Sequence, residues 1–118
     1  MRMYIATPIN GRPGLTLEDK LAAARQRIDV LKKIIRDDER FSGYELTSTF
    51  DIAHGEGEGE AEAMGRCIEE VMKSDAIYAD IGWENSKGCR LEIFAARLYG
   101  KMIYEHLVNF CARKLGNA

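Results

Sequence analysis

The side chain of this sequence best placed for covalent chemistry is a glutamate near the start of a predicted helix. Glu92 lies about one turn into a helix that is expected to begin near Gly88, directly after the turn-rich loop 82–88. A carboxylate in that position can act as a nucleophile. A glutamate in a first helical turn is also favoured by the helix macrodipole alone, so its position leaves both roles open.

Two loops carry residues that could bind a substrate beside this glutamate. Asn10-Gly11-Arg12 could hold a phosphate, because glycine lets backbone amides approach the anion and a guanidinium matches phosphate geometry; a plain turn is the alternative. Trp83 in loop 82–88 is expected either to pack in the core or to cover a flat ligand. The first loop has neither the dinucleotide nor the Walker fingerprint, so no NAD enzyme or Walker-type ATPase is supported.

The cysteines and histidines do not have the spacing of a metal site. No CxxC pair is present, and the two histidines are far apart in sequence: Cys67, Cys89, Cys111, His54 and His106. We therefore expect reduced thiols, no metal and no cofactor.

The elements that must position these residues follow from the spacing of apolar side chains. Helices are predicted where apolar residues recur at steps of three and four, and strands where short β-branched or aromatic runs lie between turn residues. The longest helix should follow Thr16, a capping candidate, and its apolar positions are Leu17, Leu21, Ala24, Ile28, Leu31 and Ile35. The predicted strands are 2–6, 44–50, 76–81 and 102–105, and the predicted helices are 17–38, 61–74, 88–100 and 107–115.

Strands that alternate with helices predict an α/β fold with an open, doubly wound parallel sheet of about four strands and flanking helices. In such a sheet ligands bind at the carboxyl ends of the strands, where loops 7–14, 51–60 and 82–88 should meet. The segment 51–62 reads DIAHGEGEGEAE and has no apolar face, so a mobile loop is expected there.

Composition limits the class of protein. The chain has 118 residues, 46% of them hydrophobic, which is enough for a single domain, 1–118, with one core. A net charge of −2 argues against binding to a nucleic-acid polymer or an anionic membrane. No long apolar run and no signal peptide can be seen, so a cytoplasmic location is expected.

Three segments taken together resemble the nucleoside 2-deoxyribosyltransferase superfamily: 3–11 (MYIATPING), 74–78 (SDAIY) and 82–92 (GWENSKGCRLE). The most similar group within it consists of small, mostly uncharacterised bacterial and phage proteins. The resemblance covers residues 1 to about 105 and is weak over 51–65. It implies a flavodoxin-like domain that cleaves or transfers the N-glycosidic bond of a (deoxy)nucleoside or its 5′-monophosphate.

The resemblance also implies roles for individual residues. Glu92 matches the nucleophile that attacks the anomeric carbon, and Tyr4 matches a tyrosine beside it. Ser86 matches a serine six residues before the nucleophile that is typical of deoxynucleoside 5′-monophosphate N-glycosidases. With the Asn10-Gly11-Arg12 loop, Ser86 favours a phosphorylated substrate, and Thr7, Trp83 and Gly88 are assigned to the same binding site.

Two departures from the family pattern leave alternatives open. Cys67 stands where the family has an aspartate, so Glu69, Glu70 or a glutamate of the 51–62 loop must replace it, or catalysis is lost. The acidic loop would also repel a phosphate if it closed over the site. The alternatives to an enzyme are a non-catalytic module that binds or senses a nucleotide and a phage or mobile-element accessory protein.

Aromatic and apolar residues in excess of what one small core needs predict self-association. They lie in loop 82–88, the third helix and the closing helix: Trp83, Phe94, Tyr99 and Phe110. We expect a homodimer or a multiple of it, in which the partner closes part of each site.

Overall fold

A computed structural model of the chain describes residues 1–9, 15–52, 57–106 and 112–116. Within these ranges, strands and helices alternate along the chain, and a last strand follows. The elements are β1 (Arg2–Ala6), α1 (Leu17–Arg36), β2 (Glu45–Ser48), α2 (Glu60–Lys73), β3 (Ala76–Ala79), α3 (Lys87–Leu98), β4 (Met102–His106) and β5 (Ala112–Gly116). Short 3-10 helices occur at Glu39–Phe41, Thr49–Asp51 and Trp83–Asn85.

The strands form one sheet in the order β2-β1-β3-β4-β5. The pairs β1–β2, β1–β3 and β3–β4 are parallel, which confirms the predicted flavodoxin-like α/β fold of four parallel strands with flanking helices. The chain goes from β1 to one neighbour and returns to the other side of β1, so the strand order reverses between β1 and β3. A crevice therefore lies beyond the carboxyl ends of these two strands.

The predicted closing helix at 107–115 is wrong over the residues that the structure describes there. Residues 112–116 form β5, which pairs with β4 in antiparallel orientation, with Tyr104 opposite Lys114 and Glu105 opposite Arg113. The free edge of β4 offers a row of backbone donors and acceptors that a neighbouring strand satisfies. The other part of the prediction, 107–111, lies outside the described residues.

Each face of the sheet carries its own apolar layer. Because successive strand residues point to opposite faces, Tyr4 and Ala6 pack with Ile77 beneath α2 and α3, while Met3 and Ile5 pack beneath α1. Burial of each large apolar side chain contributes about 1.5 to 3 kcal/mol to folding. The alternation of β1 thus decides that the Tyr4 hydroxyl points toward the α2 and α3 side.

Local caps set the bounds of several elements. Thr16 caps α1 by accepting a hydrogen bond from the Asp19 N–H at 3.1 Å, as its position predicted. The helix ends at Arg36, earlier than expected, because Asp38 instead caps a short 3-10 helix through the Arg40 N–H.

No helix within the described ranges is both long enough and apolar enough to cross a membrane.

Two strands and the acidic segment also differ in extent from their predictions. β2 ends at Ser48, whose hydroxyl accepts from the Phe50 N–H and starts a 3-10 helix. β3 ends at Ala79, and α2 begins at Glu60, inside the segment expected to be a loop. The prediction of mobility for residues 53–56 falls outside the described residues.

Candidate active site

A cavity of about 220 Å³ opens at the carboxyl edge of the sheet, on the side of α2 and α3. It lies at the crevice where the strand order reverses, and residues from β1, α2, α3 and the loops after β1 and β2 surround it. The lining residues are Tyr4, Ile5, Thr7, Ile9, Thr49, Glu60, Met64, Cys67, Ser86, Gly88, Cys89 and Glu92.

A hydrogen bond between Tyr4 and Glu92 forms the floor of this cavity. The hydroxyl of Tyr4 donates to Oε2 of Glu92, across 88 residues of sequence. Both side chains are buried, with 1% of Tyr4 and 6% of Glu92 exposed. A glutamate is almost never this deeply buried without a partner, and here Tyr4 is that partner.

Glu92 does not occupy the first turn of its helix. Helix α3 begins at Lys87, so Glu92 lies in the second turn and falls on the buried face with Cys89, Ile93 and Ala96. The macrodipole acts mainly within the first turn. The dipole alone therefore does not explain a buried glutamate at this position.

Burial gives the two groups unusual proton affinities. It raises the pKa of Glu92 to about 7, although the hydrogen bond from Tyr4 acts in the opposite direction. Burial, together with the neighbouring Glu92 carboxylate, also raises the pKa of Tyr4 far above its ordinary value. Tyr4 therefore stays protonated and donates, whereas Glu92 changes charge near neutral pH, which suits a nucleophile or an acid–base group.

Cys67, the position at which the deoxyribosyltransferase resemblance would place an aspartate, lies in the same cavity. The thiol is buried, and its sulfur lies 3.2 Å from the hydroxyl oxygen of Thr49. Burial raises the pKa of this thiol, while hydrogen bonds with Thr49 and Tyr4 counteract the rise. Cys67 and Cys89 are free thiols, and Cys111 lies outside the described residues.

Three residues predicted to bind substrate also line the cavity. Ser86 caps α3, its hydroxyl accepting from the Cys89 N–H at 3.3 Å. Gly88 lets α2 and α3 approach, since a Cβ there would lie 3.0 Å from Cε of Met64. Thr7 follows β1, and among the buried side-chain nitrogen and oxygen atoms of the described residues its hydroxyl oxygen is the one without a hydrogen-bond partner.

Other predicted site residues are not found in this cavity. Trp83 packs against the core beneath α2 and α3, and its indole N–H donates to Oε1 of Glu105 at 3.3 Å. Trp83 is not among the described residues that line the cavity. Asn10, Gly11 and Arg12, the predicted phosphate loop, lie outside the described residues.

The sequence offered the glutamates of segment 51–62 only as a group, and the structure places one of them, Glu60, in the lining as a second carboxylate at the start of α2. It lies within the segment expected to be a loop, where its alternation with glycine carries no periodic signal. The group of residues around the cavity contains no metal-ligand cluster, and none of three or more His, Cys, Asp or Glu occurs elsewhere in the described ranges.

A second cavity, of about 480 Å³, adjoins the same crevice on the side of α1. Its polar centre is a salt bridge between Arg27 and the buried Asp80, whose carboxylate accepts from Nη2 at 2.8 Å and from Nε at 3.0 Å. Asp80 also accepts from the Ile81 N–H, so it holds the loop after β3. Thr7 lines both cavities.

Comparison with known protein families gives one match. A family model described as "Domain of unknown function (DUF4406)" matches residues 1–105. The match includes β1 to β4 up to Glu105 and every described residue of the Glu92 cavity, and β5 follows it. No curated protein matches the sequence.

The raised pKa of Glu92 predicts a pH-dependent loss of stability. Below about pH 4.5 the carboxyl is neutral in both the folded and the unfolded chain, and it carries no penalty. Between that pH and about 7 the unfolded chain releases the proton more readily, so stability falls and then levels off. The full loss should be about 3 kcal/mol.

Glu92→Gln should remove this dependence, because an amide does not ionise. Urea unfolding of both proteins at pH 5 and pH 8 gives the difference in the free energy of unfolding at each pH. Glu84→Gln, at an exposed glutamate of the preceding 3-10 helix, is the matched control and should follow the wild type. Parallel pH curves for the wild type and Glu92→Gln would contradict the assignment.

Proposed function

We propose that this chain, which belongs to the DUF4406 family, cleaves or transfers the N-glycosidic bond of a (deoxy)nucleoside or its 5′-monophosphate, with Glu92 as the nucleophile. The single observation that carries the proposal is the buried Tyr4–Glu92 hydrogen bond in a cavity at the strand switch point. The resemblance of the motifs around Tyr4, Ser86 and Glu92 to the deoxyribosyltransferase superfamily supports the same activity.

The proposed reaction has two displacements at the anomeric carbon. The ionised carboxylate of Glu92 forms a bond to C1′ as the C1′–N bond breaks, and the bonding electron pair leaves with the base, which takes up a proton. Water or an acceptor base then attacks C1′, gives up a proton, and releases the Glu92 carboxylate. Tyr4 hydrogen-bonds Oε2 and so orients Oε1 for attack.

The environment of Glu92 fits the demands of this chemistry. A pKa of about 7 leaves a substantial ionised fraction at neutral pH. Removal from water also makes the carboxylate a better nucleophile than an exposed one, because it has no hydration shell to lose. A protonated Tyr4 stabilises the ionised form without competing for the anomeric carbon.

Phosphate recognition in this proposal falls to the start of α3. The first backbone amides of a helix and its dipole favour an anion there, and Ser86 at the cap still has a hydroxyl proton to donate. Asn10, Gly11 and Arg12 remain part of the proposed phosphate site on the basis of their sequence.

A nucleotide-binding module without turnover is the second candidate, and Cys67 favours it. At the position where the deoxyribosyltransferase superfamily has an aspartate, this chain has a buried thiol. Burial raises the pKa of this thiol, which makes it a weak proton donor. In that case the protein would bind a nucleotide with no release of base under any condition.

We also propose that the active form is a homodimer or a multiple of it. The outer face of α3 and the residue after it expose 52–64% of four apolar or aromatic residues: Leu91, Phe94, Leu98 and Tyr99. Small-molecule sites usually have volumes of about 300 to 1,000 Å³. The Glu92 cavity, at about 220 Å³, falls below that range, which supports the proposal that a partner completes the site.

Loss of the nucleophile should abolish turnover. Glu92→Ala is expected to lower base release from deoxynucleoside 5′-monophosphates by about 10³-fold or more, because no other group in the site can form the covalent intermediate. Incubation of the wild type with a slow 2-fluoro substrate should give a glycosyl adduct that mass spectrometry maps to Glu92. Glu84→Ala, at an exposed glutamate, serves as the control, and unchanged base release by Glu92→Ala would reject the proposal.

A negative charge at the α3 cap should reverse the preference for phosphate. Ser86→Asp keeps a good helix cap but repels a phosphate, so affinity for a 5′-monophosphate should fall about tenfold or more relative to the free nucleoside. Calorimetric titration with both ligands measures the ratio, with Ser42→Asp, at an exposed serine, as the matched control. A wild type that prefers the free nucleoside would exclude the phosphate site.

A charge in the middle of the α3 face should break the assembly. Light scattering at micromolar concentration should give at least twice 13.3 kDa for the wild type, and Phe94→Lys should reduce the mass to that of one chain. Val30→Lys, at a half-exposed position on α1, should leave the mass unchanged. A wild-type monomer that turns over substrate would refute the proposed dimer.

A further inference from the structure

The proposed reaction needs a proton donor for the departing base, and the cavity contains a second carboxyl group in addition to Glu92. We infer that Glu60 is this donor, and that it takes the place of the aspartate for which Cys67 stands. The inference rests on the proposed glycosidic function, and it selects one residue from the several glutamates that the sequence left open.

The position of Glu60 supports this role. It is the first residue of α2, it is exposed, and it lines the same 220 Å³ cavity as Glu92 and Cys67. Glu92 lies on the buried floor, whereas Glu60 lies where the cavity meets solvent. Glu60 is thus the second carboxyl group of the described lining, and it lies at the end of the cavity from which solvent can return its proton.

Three other candidate glutamates pair with basic side chains. Glu58 of the acidic segment accepts from Nε of Arg66 and is not among the described residues that line the cavity. Glu70 accepts from Nη1 of Arg2 at 3.1 Å, near the amino end of β1 and therefore at the opposite edge of the sheet. Glu69 pairs with Lys73 on the outer surface of α2, with 62% of its side chain exposed. Neither is among the described residues that line the cavity.

Cys67 itself is poorly suited to the donor role. Burial raises its pKa, so the thiol holds its proton more tightly than an ordinary cysteine does. Its sulfur already lies within hydrogen-bond distance of the Thr49 hydroxyl. A carboxyl group is intrinsically a stronger acid than a thiol, and one at the solvent end of the cavity can exchange its proton with water.

In this proposal Glu60 gives up a proton in the first step and takes one back in the second. As the C1′–N bond breaks, the Glu60 carboxyl group transfers its proton to the nitrogen of the base, and Glu92 becomes the glycosyl ester. In hydrolysis, the Glu60 carboxylate takes a proton from the water that attacks C1′, while the ester bond breaks and the Glu92 carboxylate returns. Both groups end in their starting states.

The test compares two leaving groups in the Glu60→Gln variant. Release of a purine or pyrimidine base needs protonation, whereas 4-nitrophenolate leaves without it. Glu60→Gln should therefore lower kcat/KM for a deoxynucleoside 5′-monophosphate by about 10²-fold or more. It should leave kcat/KM for 4-nitrophenyl 2-deoxyriboside 5-phosphate within about threefold of the wild type. Retained activity on the aryl substrate also proves that the variant is folded and that Glu92 is intact.

The matched control is Glu62→Gln, which changes an exposed glutamate two residues along α2 that does not line the cavity. It should behave as the wild type with both substrates. Unchanged base release by Glu60→Gln, or equal loss with both substrates, would overturn the inference and leave the Glu92 mechanism standing. Failure of the wild type to release either leaving group would overturn the proposed function, and the role of Glu60 with it.

Discussion

A buried carboxyl group that must find a hydrogen-bond donor is the constraint on which the rest of this structure depends. Withdrawal of Glu92 from water is costly, and Tyr4 offsets part of the cost through one hydrogen bond. That bond forms only because β1 and β3 pair in parallel and α3 packs back on the same face. The Ser86 cap marks the start of α3, and Glu92 lies on the buried face of that helix.

The two sides of the crevice differ in whether their carboxyl groups lie beside a cationic side chain. On the α1 side, Arg27 and Asp80 neutralise each other in a two-bond salt bridge, and the loop after β3 is held by it. On the α2 and α3 side, Glu60 and Glu92 share a cavity in whose described lining no lysine or arginine occurs. Burial raises the pKa of Glu92, and no cation of the described lining opposes this effect; perturbed pKa values of this kind cluster at functional sites.

Cys67 places a thiol, and not a further carboxyl group, in this cavity. The thiol lies beside Thr49, within hydrogen-bond distance of its hydroxyl, and it adds no carboxylate charge to the cavity. An aspartate at that position would place a further carboxyl group near Glu92, and repulsion between the two charges would raise the proton affinity of the aspartate and of Glu92. The thiol instead leaves Glu92 as the one buried carboxyl group in the described lining of the cavity.

Much of the fold was predictable because its signals are local. The spacing of apolar residues predicted α1 and the parallel strands, and Thr16 could be recognised as the cap of α1. Because the carboxyl ends of parallel strands meet, Thr7, Ser86 and Glu92 were expected at the same edge of the sheet, where they line one cavity. Motif resemblance added Tyr4. These features depend on residues a few positions apart, or on the general geometry of parallel sheets.

Tertiary structure decided the features that join distant parts of the chain. The strand at 112–116 follows from the open edge of β4, and nothing within its own residues excludes a helix. Arg27 meets Asp80 across 53 residues, and Glu60 reaches the cavity only through the packing of α2. Burial of Glu92 likewise depends on the sheet beneath α3. Periodicity predicts which face of an element is apolar, but only the packed fold determines what that face meets and which polar groups it removes from water.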